Sequence, residues 1–158
     1  MPDNTVHYLT PQGYQELQEK LHHLRTVRRQ EIAERLHLAM SEGGDLAENA
    51  EYEDAKNEQA FLEGEIMRLE DILSTAEIIE DNAPKDSVSL GNRVTLREVG
   101  VKDTEVYHLV GPAEANPRVG RISHQSPLGQ ALMGKQVGER VVVKAPDGEI
   151  EFEVLAID

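Results

Sequence analysis

Residues 52–76 read YEDAKNEQAFLEGEIMRLEDILSTA. Tyr52, Ala55, Gln59, Leu62, Ile66, Leu69, Leu73 and Ala76 recur in alternating steps of three and four. That repeat lays one apolar stripe along a long helix, which needs a second helix to cover it. The partner stands upstream. Thr10-Pro11 supplies a hydroxyl N-cap followed by proline at the first helical position. Leu17, Leu21 and Leu24 open a stripe, Arg28 interrupts it, and Ile32, Leu36 and Ala39 resume it one residue late. Gly43-Gly44 ends this helix in a tight turn, and the next begins at Asp45. Two long helices joined this closely predict an antiparallel hairpin, a rod of roughly 50 Å at about 1.5 Å per residue. Its seam is rich at the base, where Leu17, Leu21 and Leu24 face Leu62, Ile66, Leu69 and Leu73. It thins toward the turn through Arg28, Ala39, Ala50 and Ala55. Such a rod is stable at its base and keeps its tip for another purpose.

The texture changes after residue 80. Residues 1–80 hold 7 basic and 18 acidic side chains, whereas 81–158 hold 9 and 12. Past Asn82-Ala83-Pro84, turn residues multiply and β-branched runs replace the helical stripe. The expected organisation is an α+β chain. An N-terminal antiparallel coiled coil spans 1–80 with an acidic tip near 42–54, a linker spans 81–87, and a small β-rich domain spans 88–158. Strands are expected at 94–99, 105–110, 140–144 and 150–157, the last two flanking the hairpin signal Pro146-Asp147-Gly148. Residues 127–133 suit one or two helical turns.

Charge and composition exclude several functions. The 158 residues include 16 basic and 30 acidic side chains, a net charge of −14. A protein this acidic does not wrap a phosphate backbone by itself, which takes clustered Lys and Arg. Without cysteine there is no disulfide, thiol nucleophile or thiolate metal site. No apolar run approaches the roughly 18 residues of a membrane span. The start, Met1-Pro2-Asp3-Asn4, is unlike a secretion signal. A cytoplasmic location and no membrane partner are expected. With four Tyr, two Phe and no Trp, a large aromatic-lined pocket is not expected.

Acid is densest at the turn. Residues 42–58 hold Glu42, Asp45, Glu48, Glu51, Glu53, Asp54 and Glu58 against Lys56 alone. Carboxylate oxygens are the hard donors that Mg2+ takes, and Asp45 and Glu48, three apart on a nascent helix, can face one side. The same spacing is a capping box at the positive end of the helix dipole, and on spacing alone capping is the favoured explanation. Two carboxylates fall short of the six oxygens of a Mg2+ shell, so a metal role requires a partner that completes it. The other acids read as a solvated helix face. Residues 129–135, GQALMGK, fit the first seven positions of a phosphate-binding loop, but Gln136 stands where a Ser or Thr hydroxyl is needed. The six histidines lack metal-ligand spacing, and no Ser is marked as a nucleophile beside a base.

Three segments, in order, resemble the Gre family of bacterial transcript cleavage factors. They are residues 44–52 (GDLAENAEY), residues 122–123 with 126–135 (IS and SPLGQALMGK), and residues 146–149 (PDGE) leading into Phe152-Glu153-Val154. The resemblance runs from Leu9 to Ile157. It implies a protein that is no enzyme by itself. Its C-terminal domain would have an FKBP-like fold and grip the rim of the secondary channel of bacterial RNA polymerase. Its coiled coil would pass down that channel to a backtracked RNA 3′ end. Asp45 and Glu48 would assist the polymerase's second Mg2+ and its attacking water, so that the polymerase cuts its own transcript. Asn49 and Tyr52 would support the tip; their plainer roles are helix surface and seam packing. The free protein would hold no cofactor and no metal at Asp45 and Glu48, and would be a monomer. Its partners would be the polymerase and the nascent RNA. Ser126 and Pro127 would face the rim, although they equally suit a helix cap. The sequence departs from the family where basic residues near the tip contact RNA. Ser41, Gly43 and Ala47 stand there, and the nearest bases are Lys56, Arg35, Arg28 and Arg29.

Three other readings compete. A paralogue that enters the same channel and inhibits would carry a rewritten turn with extra acids, and the intact 45–49 segment reads against it. A peptidyl-prolyl isomerase would line a pocket with aromatics, but 81–158 offer only Tyr107 and Phe152. A coiled-coil scaffold would keep its function with the turn neutralised.

Overall fold

The computed structural model describes residues 5–41, 46–80 and 85–158, with side chains in the second long helix from residue 50 onward. The Gly43-Gly44 turn and the helix start at Asp45 lie outside these residues.

The upstream stripe folds as α1 (Pro11–His23), a π-helical turn (Leu24–Arg28) and α2 (Arg29–Ser41), and the downstream heptads fold as α3 (Leu46–Ser74). The π turn accounts for the stripe that resumes one residue late. One extra residue in an α-helix would rotate everything after it by about 100° and carry Ile32 and Leu36 off the seam. A π turn takes up that residue by bonding five residues back, as the N–H of Arg29 does to the carbonyl of Leu24. Leu21, Ile32 and Leu36 are consequently all buried with Ala55, Leu62, Ile66 and Leu69 in one cluster.

α3 stops short of its last heptad position. The hydroxyls of Ser74 and Thr75 donate to the carbonyl of Asp71 at 2.8 and 2.9 Å, closing the helix end. Ala76, expected in the helical seam, instead opens β2 (Ala76–Ile78), which pairs in parallel with β1 (His7–Leu9). Ile72, outside the heptad stripe, is buried.

Five strands form the main sheet in the order β5-β4-β3-β7-β6. They are β3 (Arg93–Glu98), β4 (Thr104–Val110), β5 (Arg121–Ser123), β6 (Arg140–Ala145) and β7 (Gly148–Ile157), with α4 (Pro127–Leu132) between β5 and β6. Neighbours are antiparallel except β4 and β5. Val94 and Leu96, Leu109, Phe152 and Val154 project inward with Leu132 of α4 to make the core. The expected turn joins β6 to β7, with Gly148 at φ 134°.

The chain divides into two compact units, Tyr14–Thr75 and a second made of Met1–Gly13 with Ala76–Asp158. The residues flanking the hairpin therefore pack with the sheet rather than with a coiled coil spanning 1–80. Two contacts explain this. One is the β1–β2 pairing. The other is Glu114, buried, whose carboxylate accepts from the N–H of Thr10 at 3.1 Å and from its Oγ1 at 2.5 Å. The same Oγ1 caps α1 by accepting from the N–H of Gly13 at 3.0 Å. A Cβ on residue 13 would meet the Glu114 carboxyl carbon at 2.3 Å, so a larger residue there would have to displace the carboxylate from Thr10.

The seam can be tested at adjacent residues. Ile66 is 1% exposed and Met67 is 68% exposed. Ile66→Ala is expected to lower stability by about 2–5 kcal/mol through lost burial and a cavity. Met67→Ala is expected to stay within about 0.5 kcal/mol of the parent. Urea denaturation followed by helical circular dichroism reads both.

Candidate functional site

The cations of the hairpin's first arm, residues 11–41, are committed to glutamates of α3. Along α1, the π turn and α2 the Lys and Arg side chains are Lys20, Arg25, Arg28, Arg29 and Arg35, and each reaches a glutamate of α3. Lys20 meets Glu65 at 3.4 Å, Arg25 meets Glu70 at 2.5 Å, and Arg29 meets Glu63 at 2.8 Å. Arg28 holds Glu58 at 2.7 Å and Glu31 at 2.6 Å, and Arg35 pairs with Glu58 and, at 3.5 Å, with Glu51. The partners shift from Glu65 and Glu70, opposite Lys20 and Arg25, to Glu58 and Glu51, opposite Arg35, so the overall direction is that of an antiparallel hairpin although neighbouring pairs step locally the other way.

This geometry sets the electrostatics. Arg28, then Arg35, hold the Glu58 carboxyl below the usual carboxylate range against the opposing effect of burial. Arg29 does the same for Glu63. Glu65 is lowered to about 2, chiefly by Arg68 at 2.8 Å and also by Lys20. Each guanidinium is raised in turn, Arg28 first by Glu31, Arg29 by Glu63 and Arg35 by Glu58. The bases that the sequence offers for RNA contact, Arg28, Arg29 and Arg35, are thus paired with carboxylates. The fourth, Lys56, lies 5.9 Å from the ring centre of Tyr52.

The structure locates the sequence-predicted site residues unevenly. Asp45 lies outside the described residues. Glu48 and Asn49 fall in the first turn of α3, with side chains outside them. Tyr52 is half-buried and packs against the hairpin core. Glu53 and Asp54 are exposed near the turn. Among the described residues no three His, Asp or Glu side chains gather as a metal site.

In the sheet unit, Ser126 caps α4. Its Oγ accepts from the N–H of Gly129 at 3.1 Å and donates to the carbonyl of Ser123 at 2.6 Å. Pro127 is exposed at the first helical position. Gly129 lies inside α4, so the GQALMGK segment starts in a helix and is no phosphate loop. A Cβ at residue 129 would meet the Ser123 carbonyl at 2.1 Å, which gives that glycine a packing reason. The two aromatics of residues 81–158 are occupied. Phe152 is buried in the core, and Tyr107 packs against it with its hydroxyl donating to Glu105 at 2.6 Å. No helix among the described residues is long and apolar enough to cross a membrane.

Comparison with known proteins gives this two-part chain its lineage. Residues 7–78 match the family described as transcription elongation factor, N-terminal, and residues 83–158 match transcription elongation factor, GreA/GreB, C-term. The chain belongs to the GreA/GreB family of transcription elongation factors. It is 45% identical to transcription elongation factor GreA of Bacillus cytotoxicus and 43% identical to that of Clostridium novyi, each over 99% of both chains. It is also similar to the solved GreA factor homolog 1 (Gfh1) of Thermus thermophilus, at 35% identity over 98% of this chain and 99% of that one, with a TM-score of 0.45. As a GreA/GreB-family member the protein is an accessory factor of transcription elongation.

Glu58, Glu63 and Glu65 make the hairpin's stability depend on pH. They are deprotonated more readily in the folded state than in the unfolded chain. The stability they contribute is complete above about pH 4.5 and drains as pH falls toward about 2, the value held by Glu65. Thermal melts across that window are expected to show a falling Tm. Glu65→Gln is expected to flatten the decline, and high salt to shrink it.

Proposed function

We propose that the protein binds backtracked bacterial RNA polymerase through its secondary channel and stimulates the polymerase's own Mg2+-dependent cleavage of the nascent RNA 3′ end, rescuing arrested complexes. The observation that carries this reading is the disposition of charge on the hairpin. Every Lys and Arg of α1, the π turn and α2 is paired with α3, while residues 42–58 hold seven acids and only Lys56. An acidic turn on such a hairpin repels RNA phosphates and suits the supply of hard oxygens to a cation.

Asp45 and Glu48 carry those oxygens. Two are too few for a private Mg2+ shell, and the remaining ligands come from the polymerase. When bound, that ion would act with the polymerase's other Mg2+ in two-metal phosphodiester hydrolysis, one ion positioning the attacking water and the other stabilising the leaving oxygen. Asp45 contacts the weakly held ion; Glu48 contacts its shell or orients the water. Asn49 supports the turn, and Tyr52 ties the first turns of α3 to the seam beneath. The sheet unit grips the channel rim, with Pro127 and the capped Ser126 facing it. The free protein is a cytoplasmic monomer without a metal of its own. The nuclease chemistry belongs to the polymerase.

Asp45→Ala and Glu48→Ala are each expected to retain polymerase binding while cleavage by a halted complex slows by about 100-fold or more. Glu53→Ala is expected to cleave as the parent does. Cleavage at the parental rate by both tip variants would overturn the mechanism.

A further inference from the structure

β6 is an edge strand of the main sheet, paired only with β7. The N–H of Gly138 donates to the carbonyl of Val154 at 2.8 Å, and the N–H of Val154 donates to the carbonyl of Glu139 at 2.9 Å, so the backbone of Glu139 turns toward β7. From there the polar groups of an antiparallel strand alternate sides. Val141 and Val143 bond to β7, while Arg140, Val142 and Lys144 direct their N–H and C=O groups away from it. Among the described residues no backbone group answers them. A groove follows this edge, lined by Ala131 and Met133 at the end of α4 and by Val141 and Val142 of β6. Val141 is 3% exposed and Val142 is 53% exposed. Their side chains lie on opposite faces of the sheet, so a groove that touches both runs along its edge.

The side chains that β6 shows to solvent end rows of alternating charge. Arg97 of β3 pairs in register with Glu153 of β7, and Glu153 pairs with Arg140. Arg97 reaches Glu153 at 3.3 Å, and Arg140 reaches Glu151 at 3.8 Å. Lys144 stands opposite Glu149. Opposite charges in register stabilise a sheet, and like charges destabilise it. Both rows stop on a cation at the edge, and a strand that continued them would bring carboxylates. A second copy of this chain does not fit. Antiparallel pairing of β6 with itself about Val142 would set Arg140 against Lys144, a like-charge contact that guards an open edge.

We infer that β6 is a docking edge for an extended segment of a protein partner in which Asp or Glu alternates with aliphatic residues. The segment adds a strand. Its backbone bonds to Val142 and Lys144, its carboxylates stand beside Arg140 and Lys144, and its aliphatic side chains enter the groove beside Ala131 and Met133. Strand addition draws affinity from main-chain hydrogen bonds and selectivity from alternate side chains. β7 shows the complement on the other side of β6, where Glu149, Glu151 and Glu153 alternate with Ile150 and Phe152.

The full chain is titrated with a synthetic peptide of alternating glutamate and valine and, separately, with its lysine–valine counterpart, while the β6 amides are followed by NMR. The acidic peptide is expected to shift the Val142 and Lys144 amides and to slow their hydrogen exchange by about tenfold. The basic peptide is expected to leave them unmoved. Val142→Pro removes an outward N–H and no bond to β7, and is expected to weaken binding of the acidic peptide about tenfold with an unchanged melt. Lys144→Glu is expected to weaken it about fivefold, and decides alone if Val142→Pro melts early. Sedimentation of the parent is expected to show no self-association that these variants abolish. An acidic peptide that leaves β6 unmoved, equal binding of the basic peptide, parental binding by the folded variants, or a dimer that the variants dissociate would overturn the inference.

Discussion

A hairpin of two helices has almost no interior, so everything it does depends on one seam staying in register. Leu21, Ile32 and Leu36 must meet Ala55, Leu62, Ile66 and Leu69 across an interface one side chain deep. Burying each large aliphatic stabilises by about 1.5–3 kcal/mol, whereas an exposed ion pair gives about 0–1 kcal/mol. The seam therefore holds the hairpin together, and the flanking Arg–Glu pairs act mainly to select the antiparallel register. The π turn at Leu24–Arg28 belongs to the same constraint, because it returns the second half of the stripe to the seam after a one-residue slip.

The allocation of charge follows from that seam. Glutamates 58, 63, 65 and 70 border it and engage the bases of α1 and α2. No arginine of the hairpin is then left without a carboxylate, and the turn's acids outnumber its one lysine. A rod stabilised along its length by apolar contact and net acidic at its end is suited to carry oxygen donors into a site that another molecule builds. The sheet unit separately fastens the first turn of α1 through Glu114, Thr10 and Gly13.

Much of this was legible in the sequence because it rests on periodicity and turn chemistry. The heptads of α3, the Thr10 cap, the α4 helix and the β6–β7 hairpin all have local signals, and even the late-resuming stripe announced an irregularity near Arg28. What escaped depends on distant partners. The three-residue strands β1, β2 and β5 are too short to show alternation, and β1 and β2 exist because they pair with each other across 66 intervening residues of chain. Ala76 fitted the heptad and was claimed by a strand instead. Glu114 looked like any surface acid, and only the fold brings Thr10 to it. In the candidate site, the acidic turn stood out by density, but the engagement of Arg28, Arg29 and Arg35 by α3 could not be read from one helix alone.

The account stands on the idea that turn carboxylates complete a metal shell belonging to the polymerase. The most direct measurement is the rate at which a halted, backtracked polymerase shortens its RNA as Mg2+ concentration is varied, with and without this protein. The account expects half-maximal cleavage at a markedly lower Mg2+ concentration when the protein is present. An unchanged Mg2+ dependence, or no shortened RNA at any concentration, would contradict it.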